Sequence, residues 1–379
     1  MRESSKRLRV WFVPQWYPHA GSNGVSGVFN RELVRAVSPY VDVRVLYLLT
    51  DTSKRLPSVR WEHFVDEGVP TTICRIGTSP IPKTSRLTWM WMLYRMILKS
   101  RRSVGVPDVW HAQDDTSWVV GHVAMRVGRP FVVSQHWTKI LKGELPWYEK
   151  PLYRLVFSKA AGILTPDREA EERYRSLGLQ GKIYWLPNAY DTRVFYPSDG
   201  YREKILVHVS GFSPQKRVGD ILRAFASVRR RIGDARLILI GEGEGRAKYE
   251  RMAAALLPER SFVFTGFLPK EDIARWLRRA RGFVYPSSFE TFGCALMEAL
   301  ACGTPAVTTP ISGIRTVVSN SGDALFVRVG DIEALADAMW RLLEGKHSID
   351  TLKVAKKMQS TYSYEAVGRR LYELYLKLV

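Results

Sequence analysis

The chain has 379 residues, too many for one ordinary hydrophobic core, so two domains are expected. It is 46% hydrophobic and 25% charged, which excludes a disordered or fibrous chain, and no apolar run is long enough to cross a membrane. A formal charge of +20 implies an anionic partner (nucleic acid, an anionic membrane surface or a phosphorylated substrate) without choosing among them.

The N-terminus, MRESSKRLRVWFVPQWYP, is basic but holds few apolar residues before Pro14. That is too short for a signal-peptide core and reads as a first strand, so a cytoplasmic protein is expected. Strands are predicted at 9–13, 43–48, 108–112, 130–135, 162–165 and 182–186, with helices near 27–38, 86–102, 114–127, 147–159 and 168–177. A segment rich in Pro, Asn, Asp and Gly (186–204) then interrupts the alternation and reads as an interdomain linker. Strands resume at 205–210, 236–241, 261–266, 282–286, 306–309 and 323–327. The intervening helices lie near 218–232, 246–256, 270–280, 293–301 and 332–344. Regular alternation argues for right-handed βαβ units and two doubly wound parallel-sheet domains, 1–190 and 191–361. A last helix, 362–379, is expected to return to the first domain. Ligands of such sheets bind at the carboxyl ends of the strands, which makes the cleft between two such domains the expected site. Cys74, Cys294 and Cys302 lack metal-like spacing and are expected to be reduced, buried thiols.

The stretch FVYPSSFETFGCALMEALACGTPAVTT (283–309) carries two glutamates eight residues apart. Glu290 follows a strand at its carboxyl end. Gly293 opens a helix whose N-terminus would present free N–H groups and a positive dipole end, suited to a diphosphate. Glu298 lies about 7–8 Å further along that helix at 1.5 Å per residue. One carboxylate could take ribose hydroxyls while the other reaches a sugar. The plain alternative is a capping Glu and a solvated helix Glu.

This stretch resembles the E-x7-E signature of retaining glycosyltransferases of the GT-B architecture, family 4, also called glycosyl transferases group 1. The resemblance extends, in order, through WYPHAGSNGVSGVFNREL (16–33), LPNAYDTRVFYP (186–197), HVSGFSPQKR (208–217), IGEGEGRAKYE, TGFLPKEDIARWL and DALFVRVGDIEALADAM. It implies a transferase that moves a sugar from a nucleotide-diphosphate sugar to an acceptor hydroxyl, leaving an α-linkage for the usual D-sugars, without metal or cofactor. It implies Glu290 on the donor sugar, Glu298 on the ribose, and the backbone of Thr291, Phe292, Gly293, Cys294 and Ala295 on the diphosphate. Lys216 matches the family's leaving-group Lys. The family's Arg position falls on Gly211, so Arg217 or another cation would replace it. Gly241 falls in the donor-side glycine run, which lacks dinucleotide-fingerprint spacing because position 246 is Arg. The family often has a His where His136 stands. His111, Gly24 and Gly27 are placed on the acceptor side, the glycines either leaving room for substrate or serving as plain turn residues. The family's GGxPE loop reads SGIRT (312–316), so Arg315 and Thr316 depart from it. No general base is evident, which fits a departing phosphate that accepts the acceptor's proton.

The first 190 residues hold 28 Lys and Arg against 16 Asp and Glu, so they carry most of the excess charge. Residues 84–102 and 138–159 interleave Trp, Tyr, Met and Leu with Lys and Arg, a pattern suited to a lipid headgroup region or to an ordinary buried helix with basic ends. In this architecture the first domain takes the acceptor, which points to a glycan, lipid-linked glycan or lipopolysaccharide at the inner face of a membrane. The competing readings are a nucleotide-sugar 2-epimerase of similar fold, a non-catalytic scaffold and a nucleic-acid binder. The last is disfavoured by the absence of any RNA-binding motif.

Overall fold

The computed structural model describes residues 7–19, 27–78, 85–136, 140, 142–320 and 322–379, and among them the strands form two sheets. The first contains β1 (Arg9–Val13), β2 (Asp42–Arg55), β3 (Val59–Asp66), β4 (Val69–Thr78), β5 (Val109–Gln113), β6 (Phe131–Ser134), β7 (Gly162–Thr165) and β8 (Ile183–Trp185). Their order is β3-β4-β2-β1-β5-β6-β7-β8. All pairs are parallel except β3 with β4. The second sheet contains β9 (Glu203–Val209), β10 (Arg236–Ile240), β11 (Phe262–Gly266), β12 (Ala280–Tyr285), β13 (Ala306–Thr308) and β14 (Leu325–Phe326). It is wholly parallel, in the order β11-β10-β9-β12-β13-β14. Most of these parallel strands are short apolar runs because helices cover both faces, leaving no solvent side to require alternation.

The twelve strands expected from sequence are present, and the hairpin β3–β4 is added. It turns at Glu67 and Gly68, both with positive φ (47° and 87°), the twist that suits a two-residue hairpin. β3 is an edge strand with most residues exposed, so it carries no apolar signal. Two helices were also absent from the sequence reading, Ser312–Val317 and Thr351–Tyr362.

Contacts divide the chain into two units. One holds the chain to Ala189 together with Tyr364–Val379; the other is Tyr190–Ser363. The helix Tyr364–Leu376 packs on the helix Val28–Val37 within the first unit. Their backbones approach so closely that a Cβ on Gly368 would lie 1.9 Å from the Ala36 carbonyl oxygen. Tyr375 on the same helix is fully buried against His111 of β5, at 2.6 Å.

Candidate active site

In the second unit, β9 has β10 on one side and β12 on the other, so the chain order reverses there. This is the place where open parallel sheets leave a crevice at their carboxyl edge. The segments following β9 and β12 carry the residues singled out above. After β9 the chain runs through Ser210 and Gly211 into a 3-10 turn, Pro214–Lys216, and Arg217 takes a left-handed φ of 54° before the helix Val218–Arg231. After β12 it runs through Ser287 to Glu290 and reaches Gly293, whose φ of 91° turns it into the helix Cys294–Ala301.

These segments are tied together. The Ser288 N–H donates to the Gln215 carbonyl at 2.8 Å, and the Thr309 hydroxyl donates to the Ser287 carbonyl at 2.5 Å. Lys216 Nζ lies 2.5 Å from Glu290 Oε1 and 3.3 Å from the Tyr285 hydroxyl. Tyr285 ends β12, beneath both. Burial, then the charge and hydrogen bond of Glu290, and further the charge of Glu298, hold its phenol neutral well above the usual range. Both glutamates are therefore within electrostatic reach of one buried ring. Sequence reasoning had not singled out Tyr285; an aromatic at the last position of the strand was its one signal.

The first intrahelical bond of Cys294–Ala301 runs from the Met297 N–H to the Gly293 carbonyl, 3.1 Å. The amides ahead of it, from Cys294 to Leu296, sit in the first turn, where no intrahelical acceptor exists. Phe292 contributes backbone only, since its ring is buried 5.6 Å from that of Tyr362. Gly313 braces the loop from the far side: a Cβ there would lie 2.2 Å from the Glu290 carbonyl oxygen. Arg315 is exposed and donates through Nε to the Pro310 carbonyl at 2.9 Å.

Other candidates are placed differently. Arg217 pairs with Asp220, Nε to Oδ2 at 2.5 Å, which turns its charge onto its own helix. The Gly241 N–H is spent on the Gly266 carbonyl at 2.9 Å, and a Cβ on Gly241 would lie 2.0 Å from the Ser210 carbonyl oxygen. This glycine therefore serves close packing of two loops and offers a ligand no donor. At Gly211 a Cβ would meet only the Glu242 carbonyl oxygen, at 3.9 Å. Cys74 and Cys302 are buried, their thiols pushed up to about 11 and about 12 chiefly by burial. Cys294 is half-buried rather than buried.

In the first unit the corresponding reversal lies at β1, between β2 and β5. His136 follows β6. Its N–H donates to Asp114 Oδ1 at 2.9 Å, its Nε2 lies 3.3 Å from Asn188 Oδ1, and its ring stands 4.5 Å from that of Phe29. Burial pushes it down to about 4, against an opposing hydrogen bond from Asn188, so it is neutral at pH 7. Nδ1 has no partner.

His111 does not stand at a strand end, as expected from sequence, because β5 continues to Gln113. It is fully buried, with Nδ1 2.6 Å from the Tyr375 hydroxyl and Nε2 2.7 Å from the Ser134 hydroxyl. Both ring nitrogens are thus committed to the core, and the acceptor-side assignment is corrected. A Cβ on Gly27 would lie 2.5 Å from the Trp16 carbonyl, so that glycine admits the chain's own backbone and fits the turn-residue alternative. Gly24 lies outside the described residues.

Residues 199–361 match the family model described as glycosyl transferases group 1, and residues 26–194 match the model described as glycosyltransferase family 4. The chain belongs to the family 4 glycosyltransferases. The transferase is 32% identical over 172 residues to N-acetyl-alpha-D-glucosaminyl L-malate synthase of Bacillus anthracis, a match that spans 43% of this chain and 44% of that one. It is 25% identical to D-inositol 3-phosphate glycosyltransferase of Frankia alni, across 88% of this chain and 89% of that one. Among solved structures it superposes on HepE of Anabaena, determined with UDP and glucose. The TM-score is 0.74 at 15% identity, over 98% of this chain and 100% of HepE. The fold is therefore that of the GT-B glycosyltransferases.

Proposed function

We propose that the transferase moves a sugar from a nucleotide-diphosphate sugar to an acceptor hydroxyl with retention of configuration, using no metal. The observation that carries this reading is the convergence of Lys216, Glu290, Tyr285 and the N-terminus of Cys294–Ala301 at one sheet edge. A departing diphosphate gathers negative charge, and fixed positive groups lower the barrier to its departure. Lys216 and the first-turn amides of that helix fill this role. Glu290 holds the donor sugar and Glu298, one helical turn further in, takes the ribose diol. The UDP and glucose bound to HepE support a donor of this class. His136, neutral and with Nδ1 unpartnered, is a polar contact for the sugar or acceptor. The first unit receives the acceptor, a glycan or lipid-linked glycan of a cell-surface polysaccharide or lipopolysaccharide type.

Calorimetric titration with UDP and with GDP tests the donor half. One nucleotide is expected to bind at micromolar affinity, and Glu298→Ala to weaken it at least about tenfold, the loss expected when a charged hydrogen-bond acceptor is removed. Unchanged binding in the variant would detach Glu298 from the ribose.

A further inference from the structure

Three helices of the first unit, Ser85–Val104, Thr116–Arg126 and Lys150–Lys159, enclose an open apolar groove on one face of the sheet, with a volume of about 550 Å³. Trp118, Phe131 and Val156 line it where they are buried, and Trp91, Met125 and Leu155 form its exposed lip. The apolar lip continues beyond the groove. Leu87 is 70% exposed, one turn before Trp91, and Trp147, just ahead of the third helix, is 81% exposed. Large apolar side chains are rarely grouped so openly on a soluble surface without a partner.

The charge around the groove selects that partner. The three helices hold nine Lys and Arg and no Asp or Glu. Among the described residues, Arg86 alone of these nine pairs with carboxylates, Asp115 and Glu149. Arg126 lines the groove, and Arg95 and Lys159 are exposed on the helices that form it. No described helix is long and apolar enough to cross a membrane. An apolar centre ringed by unpaired cations complements an anionic bilayer, where aromatic and aliphatic side chains enter the headgroup layer and cations meet lipid phosphates. A protein partner would have to supply a carboxylate surface shaped around the same groove.

We propose that this face seats the transferase on an anionic lipid bilayer, with Trp91, Leu155 and Trp147 entering the interface and the groove taking the end of a lipid acyl chain. This inference is independent of the donor chemistry and would stand if that reading failed.

Sedimentation of the full chain with phosphatidylcholine vesicles, with and without phosphatidylglycerol, tests it. Binding is expected only with the anionic lipid and should weaken steeply as salt rises, because screening removes the electrostatic part. Two surface variants separate the contributions. Trp91→Ser with Leu155→Ser should weaken partitioning at least about tenfold by removing apolar insertion. Arg95→Glu with Arg126→Glu should do so by reversing charge. All four positions are exposed, so nucleotide binding and thermal stability should stay as in the parent, which excludes misfolding as the cause. No binding to either vesicle, equal binding to both, or unchanged binding in the variants would overturn the proposal. So would a stable dimer in free solution that the Ser variant dissociates, since a second copy would then cover the face.

Discussion

Lys216 Nζ stands 2.5 Å from Glu290 Oε1, and the two side chains are only 15% and 9% exposed. The two charges neutralise each other. Lys216 reaches across from the segment after β9, and Glu290 stands in the segment after β12, so the contact joins the two sides of the sheet's crevice.

Removing one partner leaves the other as a nearly buried lone charge, which costs about 3 kcal/mol. Lys216→Met should therefore lower the urea midpoint clearly, and the double variant Lys216→Met with Glu290→Gln should recover most of the loss. Non-recovery would mean that the two side chains do not share the pair in solution. Turnover should fall about 10²- to 10³-fold in Lys216→Met, the usual scale for losing one transition-state donor.

Gly313 sits 2.2 Å, measured from an ideal Cβ, from the carbonyl oxygen of Glu290. Gly313→Ala must displace that loop. A misplacement of about 1 Å can cost about 100-fold in rate, so kcat should drop well before stability does. A variant with parental kcat would show that the loop's position is not critical to the chemistry.

At Gly211 there is room and no positive φ, so a side chain there is unstrained. Gly211→Arg should leave the melting temperature nearly unchanged and tighten binding of the nucleoside diphosphate several-fold, by adding a cation beside the segment that carries Lys216. Weaker binding would show that the open space at Gly211 is needed by the ligand.

His111, His136 and His208 are held down at about 3, about 4 and about 4, chiefly by burial. An unfolded imidazole titrates near 6.5. Below that pH the unfolded chain takes up protons that the folded chain refuses. The stability is therefore complete above about pH 6.5 and is lost progressively toward pH 4. His208, with Nδ1 2.8 Å from the Val284 carbonyl oxygen and Nε2 2.7 Å from the Ser210 hydroxyl, should alone account for roughly 3 kcal/mol of that loss. Urea midpoints at about pH 7.5 and about pH 5 should differ less in His208→Gln than in the parent, even though the variant starts lower. Equal differences would mean that His208 is already protonated when folded. No acid limb near 6.5 is expected from His136 in the rate profile.

The parallel strands were legible because burial on both faces leaves an uninterrupted apolar run, as in RVWFV and GILT. The same logic hid β3, where VRWEHFVD is an exposed edge held by its pairing with β4 rather than by its own hydrophobicity. The helix Thr351–Tyr362 was readable in principle. Asp350 caps it through the Lys353 N–H at 3.0 Å, and Val354, Ala355, Met358 and Tyr362 form its buried stripe. Glu290, Lys216 and Gly293 were singled out from motif spacing, and the structure brings them to one sheet edge because that spacing reflects backbone geometry. Tyr285 was not, because its role arises from what folds over it. His111 was read as ending its strand, whereas β5 runs on to Gln113 and the Tyr375 and Ser134 hydroxyls, which only the fold brings together, take both ring nitrogens.

The helix Tyr364–Leu376 belongs to the first unit, although the whole of Tyr190–Ser363 separates it from the rest of that unit. The second unit is thus a continuous insertion and the first is discontinuous. On the ribosome the second unit can complete its fold while the first unit still lacks the helix whose Gly368 meets Ala36 and whose Tyr375 hydroxyl bonds His111. The first unit can close only after Tyr364–Leu376 has been synthesised, so a fragment cut at Ala189 would expose an unfilled seam along Val28–Val37, whereas Tyr190–Ser363 is the piece suited to expression alone.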